Sequence, residues 1–110
     1  MIQAVLRVVA PPDKREEILQ VFCSLSGPTE VAKGCRFCRV LCDADDDNAI
    51  TYWAQWETRE DLEDHFRSER FRRLLPYIDM SLEPPDVDVS DVDAIGGIEL
   101  VLSVIRAQRQ

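Results

Sequence analysis

Tyr52-Trp53-Ala54-Gln55-Trp56-Glu57-Thr58-Arg59-Glu60-Asp61-Leu62-Glu63-Asp64-His65-Phe66 changes its period halfway along. The first part continues an alternation begun at Ala49. Ile50, Tyr52, Ala54 and Trp56 share one side, and Ala49, Thr51 and Trp53 share the other. A period of two in aromatic and β-branched residues predicts a strand over 49–57. Thr58 then stands three residues before Asp61, a start of the capping-box kind, and Leu62 and Phe66 fall on one face of the helix that follows.

Working outward, Asp43 to Asn48 is a polar turn, and Arg36 to Cys42 after Gly34 reads as the strand that pairs with 49–57 in a hairpin. Upstream, Ile2, Ala4, Leu6 and Val8 alternate with Gln3, Val5, Arg7 and Val9 in a first strand. Pro11-Pro12 leads into a helix carrying Ile18, Leu19, Phe22, Cys23 and Leu25, which Ser26-Gly27-Pro28 is expected to end. Downstream, Ser68 opens a short helix with Phe71, Leu74 and Leu75 that Pro76 is expected to stop. Val87 and Val89 alternate with acids after Pro84-Pro85, as an edge strand would. Ile98, Val101, Leu102 and Ile105 then fit i, i+3, i+4, i+7 in a final helix. The order β-α-β-β-α-β is the split βαβ, or ferredoxin-like, α+β arrangement with an antiparallel sheet. One domain is expected over 1–110: a β-α-β-β-α core at 1–78, and the last strand with a C-terminal tail helix at 79–110.

Thirteen basic and twenty-one acidic residues in 110 give a net charge of −8. Nucleic-acid phosphates and anionic lipid surfaces both repel such a chain, so neither partner is expected. Five Arg cluster in Arg59 to Arg73, but five acids match them, as on a solvated helix face. From Asp79 to Glu99 there are seven acids and no base. No apolar run approaches the roughly 20 residues of a membrane span. A basic start leading into an apolar core and cleavage site is lacking too, so the expected compartment is the cytoplasm.

Cys35 and Cys38 have C-x-x-C spacing, but a structural zinc would need Cys42 and His65 as well. A thioredoxin-type motif opens a helix, whereas Arg36 to Leu41 alternates like a strand. Alternation puts Cys38 and Cys42 on one face and sends Cys35 to the other, so buried free thiols and no metal are expected. Asp43, Asp45 and Asp47 mimic the start of a calcium loop, but Asn48 and Ala54 stand where Gly and Glu are needed. No glycine-rich nucleotide fingerprint is present, and no cofactor is expected. Two helices cover only one face of a four-stranded sheet. The other, with Val5, Val9 and Trp53, would be a large apolar patch, which predicts a homodimer joined sheet to sheet.

The opening stretch, with a strand ending in Trp56 and His65 nine residues later, resembles the antibiotic-biosynthesis monooxygenase family. Ser68-Glu69-Arg70-Phe71 and the Gly34-Cys35 step are similar to that family too, and the likeness runs from Ile2 to about Pro76. It implies a dimeric α+β barrel with a small-molecule pocket in each subunit. Members oxygenate quinols or polycyclic phenols with O₂, without metal or flavin, while others cleave heme. On this pattern His65 is the expected proton acceptor, its ordinary pKa suiting neutral pH. Trp56 would wall the cavity or donate its indole N–H, and Tyr52, Leu62, Phe66 and Phe71 would bind the substrate.

Plainer readings stand beside these. His65 could lie half in water at a helix flank, Trp53 and Trp56 could be core, and Arg7 and Arg39 could pair with acids. A non-catalytic small-molecule-binding barrel is the alternative function. Heme cleavage with His65 as axial ligand is a further one, although those members use an Asn on the first strand and Asn48 lies in the hairpin turn. Convergence of His65 and Trp56 on one cavity is the discriminating observation.

Overall fold

The computed structural model describes residues 1–107. Strand β1 spans Ile2–Val9, helix α1 Arg15–Glu30, β2 Cys35–Cys42 and β3 Ala49–Trp56. Helix α2 spans Arg59–Arg67, the short α3 and α4 Glu69–Arg72 and Leu75–Ile78, β4 Asp86–Asp91 and α5 Ile98–Ala107. The strands form one antiparallel sheet in the order β2-β3-β1-β4, the α+β ferredoxin-like arrangement. Alternation decides its two faces. Ala4, Leu6, Val8, Ile50, Tyr52, Ala54 and Trp56 are buried against Ile18, Phe22 and Leu25 of α1, Leu62 of α2 and Leu74. Val5, Val9, Thr51 and Trp53 point the other way and are half-buried.

Helix α2 starts where the sequence marks it, with the Thr58 hydroxyl accepting from the Asp61 N–H at 3.1 Å. Gly34 ties this start to the sheet. Its φ of +80° suits only glycine, and an added Cβ would run into the Asp61 side chain. Its carbonyl accepts from the Glu57 N–H at 2.7 Å, so the end of β3 and the first turn of α2 are fixed together.

Four local expectations are corrected. Helix α1 continues through Gly27 and Pro28 to Glu30. A proline in the last turn forfeits one hydrogen bond, to the Ser24 carbonyl, and fully buried Thr29 holds the turn against the core. Pro76 does not end a helix but sits in the first turn of α4, where its missing N–H costs nothing. Cys35 does not leave the face of Cys38. An irregularity between Cys35 and Phe37 inserts a residue, so Cys35 opposes Trp56 while Cys38 opposes Ala54. Arg39 pairs with no acid among the described residues; its guanidinium lies over the Phe37 ring, 4.5 Å from the centroid. Arg7 does meet a carboxylate, Asp43, at 2.8 Å. The cysteines are free, but the expectation that they are buried holds for Cys38 alone: Cys35 is half-buried, and Cys23 and Cys42 are exposed.

Strand β4 is an exposed edge beside β1. Helix α5 follows where the apolar spacing predicts it, yet none of its residues is buried. No described helix is long and apolar enough to cross a membrane.

Candidate active site

Residues three and four apart share a helix face, so α2 presents Leu62, His65 and Phe66 toward the sheet. Opposite them, β3 offers Tyr52 and Trp56, two residues apart on the buried face. The two elements meet in one bond: the Tyr52 hydroxyl lies 2.9 Å from His65 Nε2. The His65 ring stacks on Trp56 at 4.7 Å between centroids, and Phe71 meets its edge at 5.1 Å. Phe66 packs on Phe71 at 4.9 Å. His65 is thus enclosed by aromatic rings and is 5% exposed, not half in water.

Electrostatics assign the protons. Burial pushes the His65 pKa down to about 4, with the Arg70 charge adding to the effect. The expectation that this ring titrates near neutrality is therefore corrected: in the apolar surroundings of the folded chain it is uncharged at pH 7. Burial pushes Tyr52 up, so it keeps its proton. The hydroxyl therefore donates and Nε2 accepts, which leaves the ring proton on Nδ1. Burial also raises the thiols of Cys35, to about 11, and Cys38, to about 12, so neither is a thiolate at neutral pH. Trp56 Nε1 is buried with no hydrogen-bond partner among the described residues.

Two cavities flank the Tyr52–His65 bond. The first, of about 250 Å³, is walled by Ala4, Leu6, Phe66, Phe71, Ile78, Val87 and the Tyr52 ring; its surface is almost wholly apolar, and the Tyr52 hydroxyl lies behind it against His65. The second, of about 160 Å³, is the more polar of the two and is lined by Trp56, His65, Ser68 and Arg70 with Lys33 and Asp61. His65 and Trp56 do converge on one cavity, but it is the polar one. Tyr52, Phe66 and Phe71 converge on the apolar one. Leu62 reaches neither; it is fully buried in the core and borders a third, open groove beside β4.

Wall residues Ala4, Leu6, Ile78 and Val87 escaped the sequence reading. Alternation in β1 and β4 marked three of them as sheet-facing, but only the packing shows that the space above them is unfilled. Heme does not fit. The sole histidine has its Nε2 taken by Tyr52 and lies behind that residue, beside a 160 Å³ space.

The family model described as antibiotic biosynthesis monooxygenase matches residues 1–76, more than half of the chain. No curated protein matches. Among solved structures, a candidate antibiotic biosynthesis monooxygenase from Deinococcus radiodurans is similar with TM-score 0.80 and 12% identity, over 87% of this chain and 97% of that one. Another from Nitrosomonas europaea has TM-score 0.77 and 17% identity, over 84% of this chain and 98% of that one. A Bacteroides thetaiotaomicron protein of unknown function, suggested to be an oxidoreductase, has TM-score 0.75 and 15% identity, over 83% and 96%. At these identities the likeness establishes the fold.

Proposed function

The chain belongs to the antibiotic biosynthesis monooxygenase family, and from that premise we propose that it is a cofactor-independent monooxygenase of a small quinol or phenol, working as a homodimer. The observation that carries this reading is the buried Tyr52–His65 bond, which lies directly behind the wall of an apolar aromatic cavity that the Tyr52 ring lines. An apolar cavity walled by aromatic rings suits an aromatic substrate. At about 250 Å³ the space is below the roughly 300–1,000 Å³ of drug-sized pockets, which favours one or two rings over a larger polycycle.

In this chemistry the substrate supplies the electrons. A quinol anion reduces O₂, one oxygen atom enters the ring and the other leaves as water with two substrate hydrogens. The protein's task is to take the phenolic proton and exclude bulk water. Tyr52 is the group that meets the substrate, and it passes its own proton to His65 Nε2 as it accepts the substrate's. A ring held at a pKa of about 4 is a weak base in the empty cavity. It becomes a stronger one once an anion forms close by, because the attraction between imidazolium and phenolate in a low-dielectric site opposes the cost of burying the charge. Trp56 backs His65 by stacking on its ring, on the side away from the apolar cavity.

Oxygen uptake by chelator-treated protein, offered a panel of hydroquinones and phenols of increasing ring number, tests the proposal. Uptake above the buffer rate that disappears in His65→Ala supports it. The absence of uptake with every compound contradicts oxygenation and leaves ligand binding as the function of the cavity.

A further inference from the structure

The five arginines of 59–73 are not neutralised as evenly as their number suggests. Arg59 and Arg67 are held by Glu63 and Asp64 within 3.6 Å. Arg70, Arg72 and Arg73 enter no ion pair among the described residues, although the chain has a net charge of −8. Arg70 and Arg73 stand at i and i+3 and share a groove of about 390 Å³ between α1 and α3. Leu25 and Pro28 of α1 and the buried Leu74 form its apolar side. Glu69 is the one carboxylate along it and pairs with neither arginine among the described residues.

We infer that this groove binds a small organic monoanion, an alkyl or aryl carboxylate, with its head group on Arg70 and Arg73 and its apolar body against Leu25, Pro28 and Leu74. Two guanidinium groups against one carboxylate leave a single positive charge, which one negative charge completes. A dianion would meet Glu69 and the field of an acidic chain. The planar guanidinium fork suits a carboxylate, and the volume lies within the roughly 300–1,000 Å³ of small-molecule sites. The site is separate from the apolar cavity, yet it is joined to the buried base. Among the described residues, Arg70 alone lines both this groove and the more polar cavity beside His65. The other charged groups around that cavity are Asp61 and Asp64 on the histidine's own helix and Lys33 after α1. Tyr52 of β3 and the β2 thiols of Cys35 and Cys38 keep their protons. After burial, the Arg70 charge is the second cause that holds His65 uncharged, so an anion on Arg70 makes the histidine easier to protonate. By linkage, a protonated His65 tightens the anion to the same degree.

Calorimetry of the full chain tests this at constant ionic strength, with benzoate as the probe and benzyl alcohol as its uncharged counterpart. Benzoate is expected to bind saturably and about 10-fold or more tighter than the alcohol. Arg73→Gln, at an exposed position, is expected to weaken benzoate about 10-fold and leave the His65 pKa of the free protein unchanged. Arg70→Gln is expected to weaken benzoate as much, to raise that pKa by itself and to abolish the further rise that benzoate causes in the wild type. His65 is the only histidine, so its ring signals in NMR report the pKa directly. Benzoate binding that both substitutions leave untouched would place the anion elsewhere, in the apolar cavity above all, and would overturn the site. Failure to saturate would overturn it too. A His65 pKa that stays put at saturation would overturn the coupling and leave the site standing. None of these readings depends on turnover, so their failure is distinct from a failure of the oxygenation proposal.

Discussion

Strand β3 shows the same sequence pattern used for two different purposes on its two faces. Toward the helices, Tyr52, Ala54 and Trp56 are all but inaccessible and enclose His65. Away from them, Trp53 is half-buried, donates its N–H to Gln3 at 2.9 Å and packs edge-on against Phe37. Two tryptophans three residues apart thus have unlike roles. One belongs to a core that holds an orphan donor and a buried base. The other belongs to a half-buried surface on which Trp53 is hydrogen-bonded to Gln3 and Arg39 stacks on Phe37. Burial, not residue type, separates chemistry from assembly here.

The comparison is broken most severely if the two tryptophans prove energetically alike. Trp56→Ala is expected to cost about 3–5 kcal/mol of folding stability, since it empties a fully buried site under His65. Trp53→Ala is expected to cost less than half of that at concentrations where the chain is monomeric. Urea unfolding midpoints at equal m-value measure both.

Acid sharpens the comparison on the buried side. The folded pKa of His65, about 4, lies below its ordinary 6.5, so between these values the unfolded chain binds the extra proton. Stability therefore rises with pH across that window and is lost as the pH falls from 6.5 toward 4, by up to about 3 kcal/mol from this one ring. The exposed carboxylates are common to wild type and His65→Gln. The difference between their stability profiles should isolate the histidine, and identical profiles would place the ring in water.

The smallest expected structural effect belongs to Tyr52→Phe. It removes one buried hydroxyl and keeps the ring, so unfolding should change by about 1 kcal/mol. A catalytic loss far beyond that small cost would identify the hydroxyl with the reaction rather than with the core.

Much of this arrangement was legible in the sequence because two periods meet at Thr58. The alternation of Ile50, Tyr52, Ala54 and Trp56 fixed which face is buried, and the Thr58 cap set the phase of Leu62, His65 and Phe66. The Arg39 stacking was not legible, since a register-specific aromatic neighbour leaves no mark along the chain. Nor was the extra residue after Cys35, which reverses a face assignment without changing composition. Pro28 and Pro76 misled because a proline stops a helix only where its N–H is needed. The division into two cavities depends on the volumes of Ala4, Leu6 and Val87 against facing rings, so Leu62 was assigned to a pocket it does not reach. The enclosure of His65 by Trp56 and Phe71, which keeps its ring uncharged at neutral pH, is a tertiary property that leaves no mark in the sequence.

The most direct test is a double-mutant cycle on oxygen uptake with the best quinol substrate, comparing Tyr52→Phe, His65→Ala and the double variant. If Tyr52 and His65 form one proton route, each single change lowers the rate by roughly 100-fold or more, and the double variant falls no further. Rates that stay at the wild-type level in the single variants, or losses that multiply in the double variant, would contradict a shared route from the apolar cavity through Tyr52 to His65.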